Sequence, residues 1–272
     1  MVGAHDIEAL THPLFPNLLR HMASYRLLAA ARSITLALML VVAAAASAYA
    51  QNATETRDLE AFDRLFIKVP GDVELSQGDE QIVRIEADSE EVLQKIETRV
   101  RDGQLIIDGD REEDRRGLMD FLFGDDDDDG DLTFYITMTD VTELKVEGVG
   151  DVEGQTTISG DALTLEITGT GDIELDLEMN ELTTTLTGTG DAELSGVADM
   201  HTIRVNGTGD VEAEDLITKR TDASVSGVGD CEVHATESLR ATANGVGSIR
   251  YYGSPSDVRV QSSGIGSIEP AN

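Results

Sequence analysis

The sequence predicts an all-β protein, a right-handed parallel β-helix (β-solenoid) with coils of about 19 residues behind an irregular N-terminal cap that contains one short helix. Three observations carry that prediction. One heptapeptide recurs at nearly constant spacing, its flanks alternate apolar with polar residues, and the apolar positions match from copy to copy.

The copies read GVGDVEG from Gly148, GTGDIEL from Gly169, GTGDAEL from Gly188, GTGDVEA from Gly207, GVGDCEV from Gly227, GVGSIRY from Gly245 and GIGSIEP from Gly264. Their first glycines lie 21, 19, 19, 20, 18 and 19 residues apart, a period in the range of stacked repeat proteins. Within a unit, Leu163, Leu165 and Ile167 alternate with polar residues before the glycines, and Ile173 and Leu175 alternate after them, which is the period of a half-buried strand. The two positions before the glycines hold Leu144 and Val146, Thr184 and Leu186, Ile203 and Val205, Ala223 and Val225, then Ala241 and Ala243. Matched apolar positions in every unit share one interior only if the units stack. A unit of this length has no room for a crossover helix but accommodates two or three short strands, and the right hand follows from the rule for parallel crossovers.

The heptapeptide itself reads as a structural turn. Extending the alternation through Gly169 and Gly171 turns both glycines inward, where a corner leaves no space for a side chain, and the same holds for Gly148 and Gly150, Gly188 and Gly190, Gly207 and Gly209, and Gly227 and Gly229. A phosphate cradle needs a helix after the glycines, and a strand pattern follows instead. Asp151, Asp172, Asp191, Asp210 and Asp230 form an outward column about 4.8 Å apart, with Glu153, Glu174, Glu193, Glu212 and Glu232 as a second. Like charges at that distance repel by roughly 1 kcal/mol in bulk water, which bound cations could relieve. However, calcium-binding rolls use a nine-residue period, and Ser248 and Ser267 occupy the Asp position in the last two copies. Serine accepts a turn hydrogen bond but ligates cations poorly, so the column is read as turn capping.

Residues 1–50 have a different character. Arg20, Arg26 and Arg32 precede an apolar run from Ile34 to Ala46, and Ala48-Tyr49-Ala50 completes a secretory signal with cleavage expected after Ala50. The long leading segment makes Met22 a candidate start. The alternative is an uncleaved inner-membrane anchor through residues 34–50, at the short limit for a span. No cysteine follows the run, so no lipoprotein anchor is expected there. Residues 51–61 read as a loose polar leader, and residues 62–269 as a single solenoid domain, irregular over 62–147 and regular over 148–269.

In the irregular part, Leu65, Ile67 and Val69 alternate, Pro70-Gly71 turns, and Val73 and Leu75 resume in a degenerate copy of the later unit. Ile82, Val83 and Ile85 give another strand. Asp88 with Glu91 resembles a capping box, and Val92, Leu93 and Ile96 have helical spacing, which places a short helix at about 89–97. Leu105 and Ile107 return to strand. Residues 110–131 interrupt the pattern with a charged stretch, the apolar Phe121-Leu122-Phe123, and an acidic run from Asp125 to Asp129. Asp125, Asp127, Asp129 and Asp131 are candidate weak calcium ligands, because the run imitates the first half of an EF-hand loop. The twelfth position of such a loop falls on Ile136, where the bidentate Glu is missing.

The GxGD[VI]E copies, the segment FDRLFIKVPGDVELSQGDE from Phe62, the VLQKI helix from Val92 and the DGQLIID strand from Asp102 together resemble the putative autotransporter adhesin head-GIN domain family. The resemblance covers Leu59 to Ile268 and implies a β-helical domain of exported proteins whose function is undefined. The chain reaches Asn272 with no alternating stretch left for an outer-membrane barrel, and the acidic segment resembles an insertion. Both favour the periplasm, outer-membrane association or secretion over autotransporter display.

Composition narrows the function. Without residues 1–50 the chain has 51 acids against 17 bases, so nucleic acid and anionic membrane surfaces are not expected partners. The single Cys231, in a coil position held elsewhere by Val or Ile, reads as a core hydrophobe. Only His201 and His234 remain after the signal, both expected at the surface, and no Ser/His/Asp or Cys/His grouping stands out. The reading is therefore a non-enzymatic exported module, adhesin-like or structural in the envelope, with an unidentified envelope or extracellular partner and no catalytic residues or cofactor other than the calcium considered above. A carbohydrate-active enzyme on a β-helix scaffold and a calcium-binding surface protein are the alternatives. The last coil, near Glu269-Pro270, is expected either to be blunted by the proline or to self-associate.

Overall fold

The computed structural model describes residues 52–109 and 131–271. They form stacked β-coils, with the matched aliphatic positions as one dry interior. Ile173, Ala192 and Val211 are register partners on three successive strands, and each is at most 1% exposed. The column continues from Val211 to Cys231, Ile249 and Ile268. A second column runs Leu105, Leu65, Leu144, Leu165, Thr184, Ile203, Ala223, Ala241.

The regular coils are simpler than two or three short strands each. β10 (Ile158–Ile167), β11 (Ile173–Leu186), β12 (Ala192–Val205), β13 (Val211–Val225) and β14 (Cys231–Ala243) pair in parallel, one strand per coil. The alternation of β11 slips at Asn180 and Glu181, which are both exposed, so one strand serves two faces of the coil. The variation in repeat length is absorbed by register shifts between Glu193 and Gly196, between Ala213 and Ile217, and between Thr218 and Arg220. β15 (Ile249–Tyr252), β16 (Asp257–Ser262) and β17 (Ile268–Pro270) complete the stack.

The N-terminal part stacks out of chain order. β2 (Arg64–Ile67) and β3 (Asp72–Gln77) make one coil, β6 (Gln104–Gly109) and β7 (Leu132–Met138) a second, and β8 (Glu143–Val146) and β9 (Val152–Gly154) a third. β2 lies between β6 and β8, and β3 lies between β7 and β9, so the coil made first in sequence is in the middle. The end of β6 and the start of β7 therefore flank the corner next to the one that Pro70-Gly71 occupies in the adjacent coil.

Two expectations are corrected here. The leader is not loose, because β1 (Ala53–Arg57) pairs antiparallel with β4 (Ile82–Ala87), and β4 pairs antiparallel with β7. The helix α1 spans only Glu90–Leu93, its N-cap being Ser89, whose Oγ accepts from Val92 N at 3.4 Å. Asp88 is drawn away from that role because its carboxylate accepts from Asp131 N at 3.0 Å. Ile96 then opens β5 (Ile96–Arg101), which pairs antiparallel with β6, since its side chain fills the core from a strand rather than from a second helical turn. Val92, Leu93 and Phe62 are buried at this end, and Arg57 Nη2 donates to Leu93 O and Ile96 O. The antiparallel strands and the helix thus close one end of the stack.

Candidate functional site

The GxG corners lie above one another and generate the most regular surface of the molecule. Their glycines do not face a crowded interior, as the alternation suggests; the crowding is along the stack. A Cβ on Gly188 would lie 2.0 Å from Gly169 O, and one on Gly169 would lie 2.0 Å from Gly148 O. The second glycine is also held in the left-handed region, with φ of +145° at Gly171. Consecutive corners are joined by backbone hydrogen bonds such as Thr189 N to Gly169 O at 3.0 Å.

The side chains beside the glycines border a groove that crosses seven coils, from Gly148 to Gly264. Six steps of about 4.8 Å make it roughly 29 Å long. One wall carries Thr168, Thr187, Asn206, Ser226 and Asn244; the other carries Val149, Thr170, Thr189, Thr208, Val228, Val246 and Ile265, the last six exposed. Glu147 is the only charged residue lining it, on a chain of net charge -33.

The aspartates sit on the flank of this groove and act between coils instead of within one turn. Asp151 Oδ1 accepts from Asp172 N at 2.9 Å, Asp172 from Asp191 N at 2.8 Å, Asp191 from Asp210 N at 2.7 Å, and Asp210 from Asp230 N at 2.6 Å. Asp72 starts the ladder by accepting from Asp151 N at 3.0 Å, and Ser248 N ends its acidic part on Asp230 Oδ1. Asp72 occupies the same place in GDVEL of the degenerate unit as the later aspartates do in theirs. Each carboxylate therefore has a donor, which compensates the repulsion along the column.

The glutamates pair in register from Glu74 through Glu153, Glu174, Glu193 and Glu212 to Glu232. Partial burial, then Glu214, Glu193 and the neighbouring aspartates, push the Glu212 carboxyl above its ordinary value. Arg250 ends the run by pairing with Glu232, which also accepts from Tyr252 Oη at 2.8 Å. Among the described residues no group of three or more His, Cys, Asp or Glu side chains is arranged to hold a metal ion. Asp125, Asp127 and Asp129 lie outside the described residues, as do residues 1–50 with the expected cleavage after Ala50. Among the described residues no helix is long and apolar enough to cross a membrane.

His201 is not at the surface. It is 1% exposed between Leu182 and Thr221 in the interior, and its Nε2 lies 3.0 Å from Thr184 Oγ1. Burial lowers its pKa to about 3, so it is neutral in the folded protein. Burial, followed by the charges of Asp210, Glu232 and Asp230, pushes the Cys231 thiol up to about 12, as suits an inert core residue. His234 is half-buried and its Nδ1 lies 3.0 Å from Glu214 O.

No curated protein matches the chain. Solved structures do. A putative adhesin from Bacteroides fragilis is similar with a TM-score of 0.74 and 26% identity, over 81% of this chain and 97% of that one. A putative adhesin from Parabacteroides merdae gives 0.62 at 18% identity, over 82% and 97%. A putative lipid binding protein from Parabacteroides distasonis gives 0.61 at 20%, over 82% and 97%. The two last likenesses speak for the fold alone. The family described as "Putative auto-transporter adhesin, head GIN domain" matches residues 61–255, and the chain belongs to that family.

Proposed function

We propose that the protein is an exported, non-enzymatic adhesin-like module that binds an extended, uncharged polymer along the GxG groove. The observation that carries this reading is the contrast between a groove of Thr, Asn, Ser and Val side chains over largely half-buried glycine backbone and the acidic ladders beside it. Hydroxyl and amide groups repeated at a fixed axial step offer hydrogen bonds at intervals to a chain laid along the stack. The flanking carboxylates repel polyanions, which selects neutral chains. Family membership and the adhesin neighbours support the adhesin-like class. Export by the N-terminal signal, with cleavage after Ala50, belongs to the same proposal.

Binding to a panel of immobilised neutral and acidic polysaccharides tests it. The protein is expected to retain on neutral chains, and Thr189→Arg, in the middle of the groove, to abolish retention without changing the melting temperature. Equal retention of the variant, or preference for acidic chains, refutes the groove as the site.

A further inference from the structure

We propose that two copies of the protein associate about a two-fold axis through β16, each strand pairing antiparallel with its counterpart, so that Val258 faces Val258 and Asp257 faces Arg259 across the interface. The two ends of the stack differ. One is closed by antiparallel strands and a helix, whereas among the described residues β16 has a single partner, β14, and an unpaired outer edge. Its six residues are all exposed, including Val258 at 41% and Val260 at 51%. Their register partners one coil earlier, Leu239 and Ala241, are each 1% exposed. A regular edge with no bulge, proline or inward charge is a template for another strand. The neighbouring edge, β17, is three residues long and ends in Pro270, which has no donor to offer.

Charge points to a second copy as the partner. Repulsion opposes contact between most surfaces of a chain with net charge -33, but from Ser238 onward the acids are Asp257 and Glu269 and the bases Arg240, Arg250 and Arg259. This end alone departs from the acidic surface. β16 is also self-complementary: Asp257 and Arg259 already share one face, with Arg259 Nη2 3.0 Å from Asp257 Oδ2. Antiparallel pairing centred on Val258 sets each Asp257 opposite the other copy's Arg259. Centring on Asp257 or Arg259 opposes like charges, and centring on Val260 sets Arg259 opposite the neutral Gln261, so the register centred on Val258 is the one that gains two opposite-charge pairs.

Sedimentation of the protein expressed from its full chain, over a dilution series, is expected to show a reversible dimer. Arg259→Asp weakens it at least about tenfold by converting both cross-strand ion pairs to like-charge pairs. The swap Asp257→Arg with Arg259→Asp restores it. Because these side chains are exposed, the variants retain the wild-type melting temperature at concentrations where the wild type is monomeric. Independently, Val258→Cys gives an interchain disulfide on mild oxidation while Val260→Cys does not, and buried Cys231 does not interfere. A monomer at all concentrations, a dimer indifferent to Arg259→Asp, failure of the swap, or cross-linking through position 260 instead of 258 overturns the proposal.

Discussion

Replacing His201 with leucine tests whether a buried neutral imidazole makes the fold acid-labile. The folded pKa of about 3 lies below the 6.5 of the unfolded chain, so between these values the unfolded state binds a proton that the folded state does not. The contribution is therefore complete above pH 6.5 and is lost as pH falls from there towards 3. Each pH unit in that window removes about 1.4 kcal/mol, or roughly 2.7 kcal/mol by pH 4.5. That is a large part of the 5–15 kcal/mol typical of a domain. His201→Leu removes this titration but leaves Thr184 Oγ1 without its partner, at about 1–2 kcal/mol independent of pH. Urea unfolding followed by circular dichroism is expected to show the variant less stable than wild type at pH 7.5, and equal or more stable at pH 4.5. The acidic side chains are common to both proteins and cancel in the comparison. A difference that does not change with pH refutes the burial argument.

Three further outcomes follow from the corner and the core. Gly188→Ala drives a Cβ to 2.0 Å from a backbone oxygen and is expected to cost about 2–3 kcal/mol, read as a lower melting temperature, whereas Gly160→Ala meets nothing closer than Met179 Sδ at 3.7 Å and is tolerated. Asp172→Ala deprives Asp191 N of its acceptor at about 1.5–3 kcal/mol, offset by relief of roughly 1 kcal/mol of repulsion. Salt screens that repulsion in the wild type, so the net loss on urea unfolding is greater in high salt. Cys231, with its thiol pushed up to about 12, stays unreactive to a thiol reagent in the folded protein and reacts fully in denaturant.

The stack was legible because its determinants are periodic. Leu165, Leu186 and Val205 declare their facing by alternation, and the glycine spacing sets the coil. What remained hidden depends on neighbours distant in sequence. Nothing local to Gly169 reveals that its obstacle is the carbonyl of Gly148, so alternation extended through the corner points to the wrong cause. The aspartates looked like local caps because the donor lies a whole coil away, on Asp191 for Asp172. His201 reads as polar and isolated until Thr184, on the preceding coil, is brought beside it. The polar segment from Ala53 gave no strand period strong enough to outweigh its composition, yet its backbone pairs with β4. The groove is hidden in the sequence for a related reason. Thr168 and Thr170 are ordinary strand residues in one copy and become walls only when the copies are superposed.

The displaced position of the β2–β3 coil has a consequence for how the chain is delivered. A coil flanked on both sides by segments synthesised later, β6–β7 and β8–β9, has no finished bed to settle on when it first emerges. Its aliphatic faces stay uncovered until residues up to 154 are present, so early segments remain threadable while the later ones are still being made. The order of stacking thus postpones completion of the N-terminal coils until the later strands have been made.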